Sequence, residues 1–433
     1  MADVPTQTYY AATAPYQSFP PLTGDDTDVD VAVLGGGFAG LATARGLQER
    51  GVARVAVLEA RTIGHGASGR NGGFVFGGYS RDAADLVRDL GLAPARELYA
   101  QSREAVALIR ARIARHAIDC DKAEGGALLL NWFRHSARAE RGLRAQAAWL
   151  RENFGVVWDE VALDQVRRWL DTGRYGGALL ERDAFHFHPL KYALGLARVI
   201  GQAGGRVHEH SAVTAVERRE GGGFVLHTVQ GASLRAAQVV VAGGGYLAGL
   251  LPALVGARLP IATYVMATEP LPEALRPVRT AAALYDNRFA FDYYRALADH
   301  RLLWGGRISI LEREPARIAA LLRADMLKVF PQLAGVRITH AWGGLMSYAR
   351  HKMPQVGRLA PGLWFAQAFG GHGVAPTTAA GEWLAEAVSG RADLPASLAR
   401  YGLTPVFGRA GLLAAQASYT WAELKDALRE RLI

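Results

Sequence analysis

Asp28-Val-Asp-Val-Ala-Val-Leu34 runs into Gly35-Gly-Gly-Phe-Ala-Gly40 and then into a helical pattern that reaches Arg50. The first segment is short, apolar and rich in β-branched residues, which predicts a buried strand. A second such run, Arg54 to Leu58, ends at Glu59, nineteen residues beyond Gly40. Strand, glycine turn, helix, strand and terminal carboxylate together form a βαβ unit with a Gly-x-Gly-x-x-Gly fingerprint. Gly35 permits the tight turn, Gly37 lets the backbone approach a pyrophosphate, and Gly40 lets helix and strand pack closely. The helix N-terminus offers unpaired N–H groups to phosphate, and Glu59 is placed to accept hydrogen bonds from a ribose diol. This unit alone leaves FAD and NAD unseparated.

Three further glycine clusters work outward from it. Gly64-His-Gly-Ala-Ser-Gly-Arg-Asn-Gly-Gly73 lies five residues after Glu59, where a nicotinamide domain would run straight into its next strand. Glycines there expose N–H groups beside a flat ring, with Ser68 and Asn71 as candidate donors to phosphate or ring edge. The segment is no serine-nucleophile elbow, because Arg70 takes the place of the closing glycine. Val239-Val-Val-Ala-Gly-Gly-Gly-Tyr246 reads as a strand ending in a glycine turn. Phe369-Gly-Gly-His-Gly-Val-Ala-Pro-Thr-Thr378 reads as a strand-to-helix turn whose N–H groups suit negative charge.

Composition bounds the rest. The chain has 433 residues, half of them hydrophobic, enough for two or three structural units. One cysteine, Cys120, excludes an intrachain disulfide and a thiolate metal cluster. The net charge is +9, but the basic residues are scattered arginines with only five lysines, so a solvated basic surface is expected and no nucleic-acid partner. No secretory signal is expected, and the longest apolar stretch, Val239 to Ala267, is broken by glycines, prolines and Arg258, so no integral membrane segment is expected and the location is read as cytoplasmic.

The expected architecture is mixed α/β. A Rossmann-like, discontinuous nucleotide domain (28–90, 185–262 and 350–392) is interrupted by an antiparallel-sheet substrate domain (91–184 and 263–349). An extended arm (1–27) precedes them and a helical extension (393–433) follows. Residues 81–184 read as mostly helical. Strands Phe289 to Tyr294 and Arg301 to Gly306 read as a hairpin around Ala298-Asp299, with Leu303, Gly305 and Arg307 on one face. His186 and His188 form a His-x-His pair without a third ligand nearby, so no metal is expected.

These stretches resemble the D-amino-acid-oxidase/glycine-oxidase superfamily of flavoproteins, and within it the gamma-glutamylputrescine oxidoreductase branch. The likeness rests on Tyr9-Tyr-Ala-Ala-Thr-Ala14, the glycine fingerprint, Gly66 to Gly73, His188-Pro189, Asp292-Tyr-Tyr-Arg295, Arg301 to Gly306, Met353-Pro-Gln-Val-Gly357 and Gly371-His-Gly373. It implies FAD and oxidation of a substrate C–N bond by hydride transfer to the flavin, with the imine hydrolysing afterwards. The residues expected to hold FAD are Gly35, Gly37, Phe38, Ala39, Gly40, Glu59, Ala60, Arg61, Gly66, Ala67, Ser68, Arg70, Asn71, Gly72, Gly73, Val213, Ala242, Gly243, Gly371, His372, Gly373 and Val374. Those expected to carry catalysis are His372, Arg307, Tyr293 and Trp342.

Departures from the superfamily sharpen the expectation. Met346 stands where glycine and D-amino-acid oxidases often carry a carboxylate-clamping arginine. Cys120 lies in the helical insert rather than at the flavin tether of sarcosine oxidases, so FAD is expected to be noncovalent. Ala375 replaces the lysine of sarcosine oxidases. The expected substrate is a small amine or amino acid, within an apolar pocket from Phe289, Phe291, Tyr293, Trp304 and Trp342. The expected electron acceptor is oxygen or a quinone-linked carrier, because no second nucleotide fingerprint occurs. An oxidase or dehydrogenase of a cyclic amino acid such as L-pipecolate, with Arg307 or Arg350 as the clamp, is the alternative enzyme. A non-catalytic flavin redox sensor is the alternative of another class.

Overall fold

The computed structural model describes residues 7–24 and 27–431. Two eight-stranded sheets organise it. The first holds five parallel strands in the spatial order Leu363–Gln367, Ser233–Val241, Thr27–Leu34, Val55–Leu58, Arg206–His208, with Gln355–Ala360 antiparallel at one edge. Val213–Arg218 and Phe224–Thr228 fold antiparallel onto the start of Ser233–Val241. The parallel strands are buried on both faces, as parallel sheets must be. Helices Phe38–Glu49, Leu92–Arg115, Pro189–Gln202 and Val374–Val388 cover one face. Val29, Ala32, Ala56, Phe224 and Leu226 close a second core on the other.

The second sheet runs Ile338–Tyr348, Leu259–Thr268, Leu302–Ser309, Tyr293–Ala296, Ala283–Asp286, Ala127–Leu130, Ala178–Glu181, Asp159–Val161. It is antiparallel except where Ala283–Asp286 meets Ala127–Leu130. Strand alternation splits its side chains. Tyr264, Met266, Tyr294 and Trp304 pack behind it with helix Pro315–Val329. Val265, Leu303 and Trp342 face the first sheet together with Tyr9 and Tyr10.

Several expectations need correction. The segment 81–184 is mostly helical as expected, but three short runs within it supply strands to the second sheet. Helix Leu92–Arg115 lies inside the expected substrate segment, yet Leu98, Val106 and Ile109 pack into the first core, so the packing boundary falls after it. Leu259–Thr268 belongs wholly to the second sheet, four residues earlier than expected. The arm is not simply extended: Tyr9–Thr13 is a helical turn capped by Thr8. Its expected first six residues lie outside the described ones. Phe289 to Asp292 form no strand. Arg288 pairs with Asp286 and Asp292 at 2.6 Å each and curls the chain into a loop before Tyr293. The hairpin partner Leu302–Ser309 forms as expected, with Leu297 N–H donating to the Arg301 carbonyl. Among the described residues no helix is long and apolar enough to cross a membrane.

Candidate active site

The glycine turns converge because of strand order. Leu363–Gln367, Ser233–Val241 and Thr27–Leu34 are adjacent and parallel, so the turns at Phe369–Gly373, Ala242–Tyr246 and Gly35–Gly40 all emerge at one sheet edge. That is the edge where open α/β sheets bind ligands. Ala242 N–H donates to the Leu34 carbonyl at 2.8 Å and holds two of the turns together.

Gly35 sits at φ +112°, and a Cβ there would lie 2.7 Å from the Ala242 carbonyl oxygen. A Cβ at Gly37 would lie 3.0 Å from Ser68 Oγ, and one at Gly40 would strike the Gly35 carbonyl. The cradle is therefore closed to side chains and open only to backbone. Gly37 caps helix Phe38–Glu49 with no side-chain hydrogen bond, and Ser68 Oγ accepts the Phe38 N–H at 2.9 Å. Ala39 and Gly40 occupy the first turn, whose N–H groups have no intrahelical acceptor. A helix N-terminus of this kind has the donor set that suits an anion such as a pyrophosphate.

Glu59 Oε2 accepts from Gly36 N–H at 2.7 Å and Oε1 from Arg61 N–H at 2.9 Å. Burial pushes its carboxyl pKa up, while those backbone donors oppose the rise. The chain leading to Val213 passes alongside, since His210 and Ser211 N–H groups donate to the Arg61 and Glu59 carbonyls at 2.8 Å. Glu59, Ala60, Arg61 and Val213 thus cluster at one end of the cradle.

Gly66 to Gly73 bridges the two sheets. Asn71, expected as a donor to phosphate or ring edge, is engaged within the loop: its amide donates to the Ala67 and Ser68 carbonyls and its Oδ1 accepts the Gly73 N–H. Arg70 donates to the carbonyls of His65 at 2.7 Å and Gly343 at 3.1 Å, and the Trp342 indole donates to the Arg70 carbonyl at 3.0 Å. Trp342 is therefore fixed on this loop.

Tyr293 is boxed. A Cβ at Gly72 would lie 2.6 Å from its ring, and a Cβ at Gly305 would strike its Cζ. Phe74 closes its edge at 5.6 Å and Phe291 lies at 6.4 Å. Trp304 faces the other way, stacked on Tyr294 at 4.5 Å, and belongs to the rear core. Phe289, 52 % exposed, lies 6.1 Å from Tyr419 on the C-terminal helix and not with Tyr293.

Arg307 corrects the strand argument. The pairing slips between Thr263 and Tyr264, Arg307 takes φ +57°, and its side chain crosses to the rear face. A bulge re-aims one residue in this way. There Arg307 forms a two-point ion pair with Asp325 at 2.6 and 3.0 Å. Arg350 lies over Phe407 and Lys352 over Phe289, both by the C-terminal helix.

The last turn contributes His372, Gly371, Gly373 and Val374. His372 Nε2 lies 2.8 Å from the Gly77 carbonyl oxygen and its ring meets Phe76 edge-on at 4.1 Å. Burial lowers its pKa to about 4, so the ring is neutral, with Nε2 as the donor. It reads as a locked orienting group rather than a free proton shuttle. A Cβ at Gly371 would lie 2.7 Å from the Tyr348 hydroxyl.

Residues outside the expected set also matter. Arg295 is 2 % exposed and donates to the Gly72 carbonyl at 2.7 Å and the Phe187 carbonyl at 2.9 Å, anchoring the bridging loop. Glu209 accepts from Ile63 N–H at 2.6 Å, from Phe19 N–H at 3.0 Å and from the Tyr16 hydroxyl, which straps the arm to the cradle. Arg295 sits in the Asp292-Tyr-Tyr-Arg295 stretch, a visible signal; Glu209 had none. His186 lies 3.2 Å from Arg295 and His188 caps a helix, so the pair is spent on structure.

The profile of the DAO family, described as FAD dependent oxidoreductase, matches residues 30–387. The chain is 39% identical over 393 residues to gamma-glutamylputrescine oxidoreductase of Escherichia coli, covering 90% of each chain. It is 35% identical over 384 residues to a probable oxidoreductase, OrdL, of Haemophilus influenzae, covering 86% of this chain and 85% of that one. In fold it is similar to glycine oxidase from Geobacillus kaustophilus, with a TM-score of 0.72 at 22% identity over 88% of this chain and 99% of that one. L-proline dehydrogenase from P. horikoshii superposes with a TM-score of 0.71 at 18% identity, over 89% of this chain and 100% of that one.

Proposed function

The chain belongs to the DAO family of FAD-dependent oxidoreductases, and on that premise we propose that it oxidises the C–N bond of a small amine, gamma-glutamylputrescine or a similar molecule, to an imine that water hydrolyses. Bound FAD supplies the two-electron oxidising chemistry. Gly35 to Gly40 would hold its pyrophosphate, Glu59 its ribose, and Gly66 to Gly73 with Gly371 to Val374 would flank its ring system.

The observation that carries the substrate reading is the boxed Tyr293 beside Trp342, an aromatic wall on the face of the second sheet that looks toward the cradle. A protonated amine has no lone pair with which to form an imine. An apolar aromatic wall disfavours the charged form by desolvation and so lowers the pKa of the arriving amine. Trp342, tied to the Arg70 carbonyl, and Tyr293, held between Gly72 and Gly305, keep that wall rigid. The cyclic-amino-acid reading needs a free arginine for the carboxylate, and the engagement of Arg307 by Asp325 supports the amine instead.

FAD is held without a covalent bond in this reading. Cys120 is buried, its thiol is pushed up to about 12 by burial, and a thiol that stays protonated is a poor nucleophile. Oxygen or a quinone-linked carrier takes the electrons. The test is an anaerobic bleaching screen of the yellow holoprotein with polyamines, gamma-glutamyl-polyamines, and D- and L-amino acids. Bleaching by gamma-glutamyl-polyamines ahead of free amino acids supports the proposal; bleaching by L-pipecolate alone overturns it.

A further inference from the structure

The C-terminal helix, Gly408–Arg431, shows one face to the protein and a different one to solvent. Inward, Leu412 and Ala415 pack near Leu259, Ile261 and Val406, and Tyr419 is buried. Asp426 accepts the Phe289 N–H at 2.8 Å, and Glu430 accepts the Trp132 indole N–H at 3.1 Å. Outward lie Ala410, Ala414, Ala417, Trp421, Leu424 and Leu428, all exposed, with Trp421 at 56 %. Their spacing is 4, 3, 4, 3, 4. That is the a/d repeat of a coiled-coil seam, carried on a helix whose opposite face is already occupied.

The seam is graded in size, with three alanines toward the helix start and Trp421, Leu424 and Leu428 toward its end. From this we infer that the helix pairs antiparallel with the same helix of a second copy of this chain about a two-fold axis. In that register Trp421 meets Ala417 of the second copy, Leu424 meets Ala414, and Leu428 meets Ala410. Each layer then holds one large and one small side chain, which keeps the two axes at one distance. A parallel pair would set Trp421 on Trp421 and leave the alanine layers gaping. The same two-fold register is self-complementary, as an isologous interface requires. No carboxylate lies on the seam, and Lys425, its one flanking cation between Ala410 and Leu428, faces Leu413 of the second copy rather than its own image.

The seam from Ala410 to Leu428 is about 27 Å long at 1.5 Å per residue. A strip one helix wide is smaller than a standard interface, so the pairing is weak and concentration-dependent. Sedimentation velocity of the full-length holoprotein from about 1 to about 100 µM reads it directly. The expected mass rises from 46.5 kDa toward twice that value. Trp421→Glu with Leu424→Glu is expected to stay at the monomer mass with flavin content unchanged, since both side chains are already exposed. Register is read by oxidative cross-linking: a mixture of Ala417→Cys and Trp421→Cys proteins should link, and neither protein should link alone. A monomer at every concentration, a dimer that survives the double glutamate variant, linking of Trp421→Cys by itself, or a monomer whose Trp421 instead inserts into phosphatidylglycerol vesicles would each overturn the inference.

Discussion

Gly72→Ala tests the aromatic box most directly. The new Cβ would lie 2.6 Å from Tyr293 Cε2, 2.9 Å from Cδ2 and 3.6 Å from Phe74 Cδ1. Carbon atoms settle at about 3.5–4.0 Å, so the ring must retreat by roughly 1 Å. It has little room to move, because the same Cε2 edge already overlaps the Cβ position of Gly305 and packs on that bare backbone. The Gly305 backbone is pinned between Val265 and Tyr293 in a central strand. Overpacking of this kind costs about 1–3 kcal/mol. For a chain of this length that is only about 1–3 °C in melting temperature, so the melt must be paired with anaerobic bleaching of the flavin by the best amine. Gly72→Ala should lower both, while Tyr293→Ala in the same chain should relieve the thermal loss, with a coupling of about 1–3 kcal/mol in the double-mutant cycle. Bleaching at the native rate in Gly72→Ala, or additive losses in the cycle, would refute the claim that Tyr293 is held between two glycines at the site.

Glu59→Ala removes the acceptor of the Gly36 and Arg61 N–H groups and should weaken FAD binding by about 1.5–3 kcal/mol in a fluorescence titration of the apoprotein. Acid precipitation should leave all yellow colour in the supernatant; colour in the pellet would mean a covalent link. Arg307→Met should leave Asp325, 5 % exposed, with only Lys328 as a charged partner and lower stability by about 1–2 kcal/mol. Its KM should be unaltered for carboxylate-bearing and simple amines alike, and a rise confined to carboxylates would restore Arg307 to the site. Glu181 is buried, and burial raises its pKa to about 7 from the usual 4.5. The folded state therefore holds the proton more tightly than the unfolded one, so the carboxyl favours folding below pH 4.5 and progressively less as pH climbs through 7. Glu181→Gln should remove roughly 2.5 kcal/mol of that decline between pH 5 and pH 8, seen as a flatter melting-temperature profile.

The first sheet and the glycine cradle proposed for FAD were legible in the chain alone because their constraints are local. Gly35 needs a positive φ and Gly37 and Gly40 need an absent Cβ within one turn of each other. Glu59 follows at the end of the neighbouring strand, so sequence distance and spatial distance coincide. Period-two alternation also placed Leu303 and Gly305 on one face and Trp304 on the other. What alternation could not supply was the bulge at Arg307, since a slip against Thr263–Tyr264 depends on a strand some forty residues away. That slip, and the carboxylate of Asp325 waiting on a separate helix, decided that Arg307 faces the rear core. Phe289 and Phe291 alternate as a strand would, yet the Asp286–Arg288–Asp292 cluster bends them into a loop, because two ion pairs outweigh a weak strand preference. The helices of 81–184 hid three short strands for the same reason. Runs such as Ala127–Leu130 carry no period of their own, and only the edge of a sheet already built by Ala283–Asp286 turns them into strand. Trp342 and Tyr293 were recognisable as large aromatics, but which of the aromatics would pack on the bridging glycine loop was fixed by long-range contacts: the Arg70 carbonyl for one, and two glycines separated by more than two hundred residues for the other.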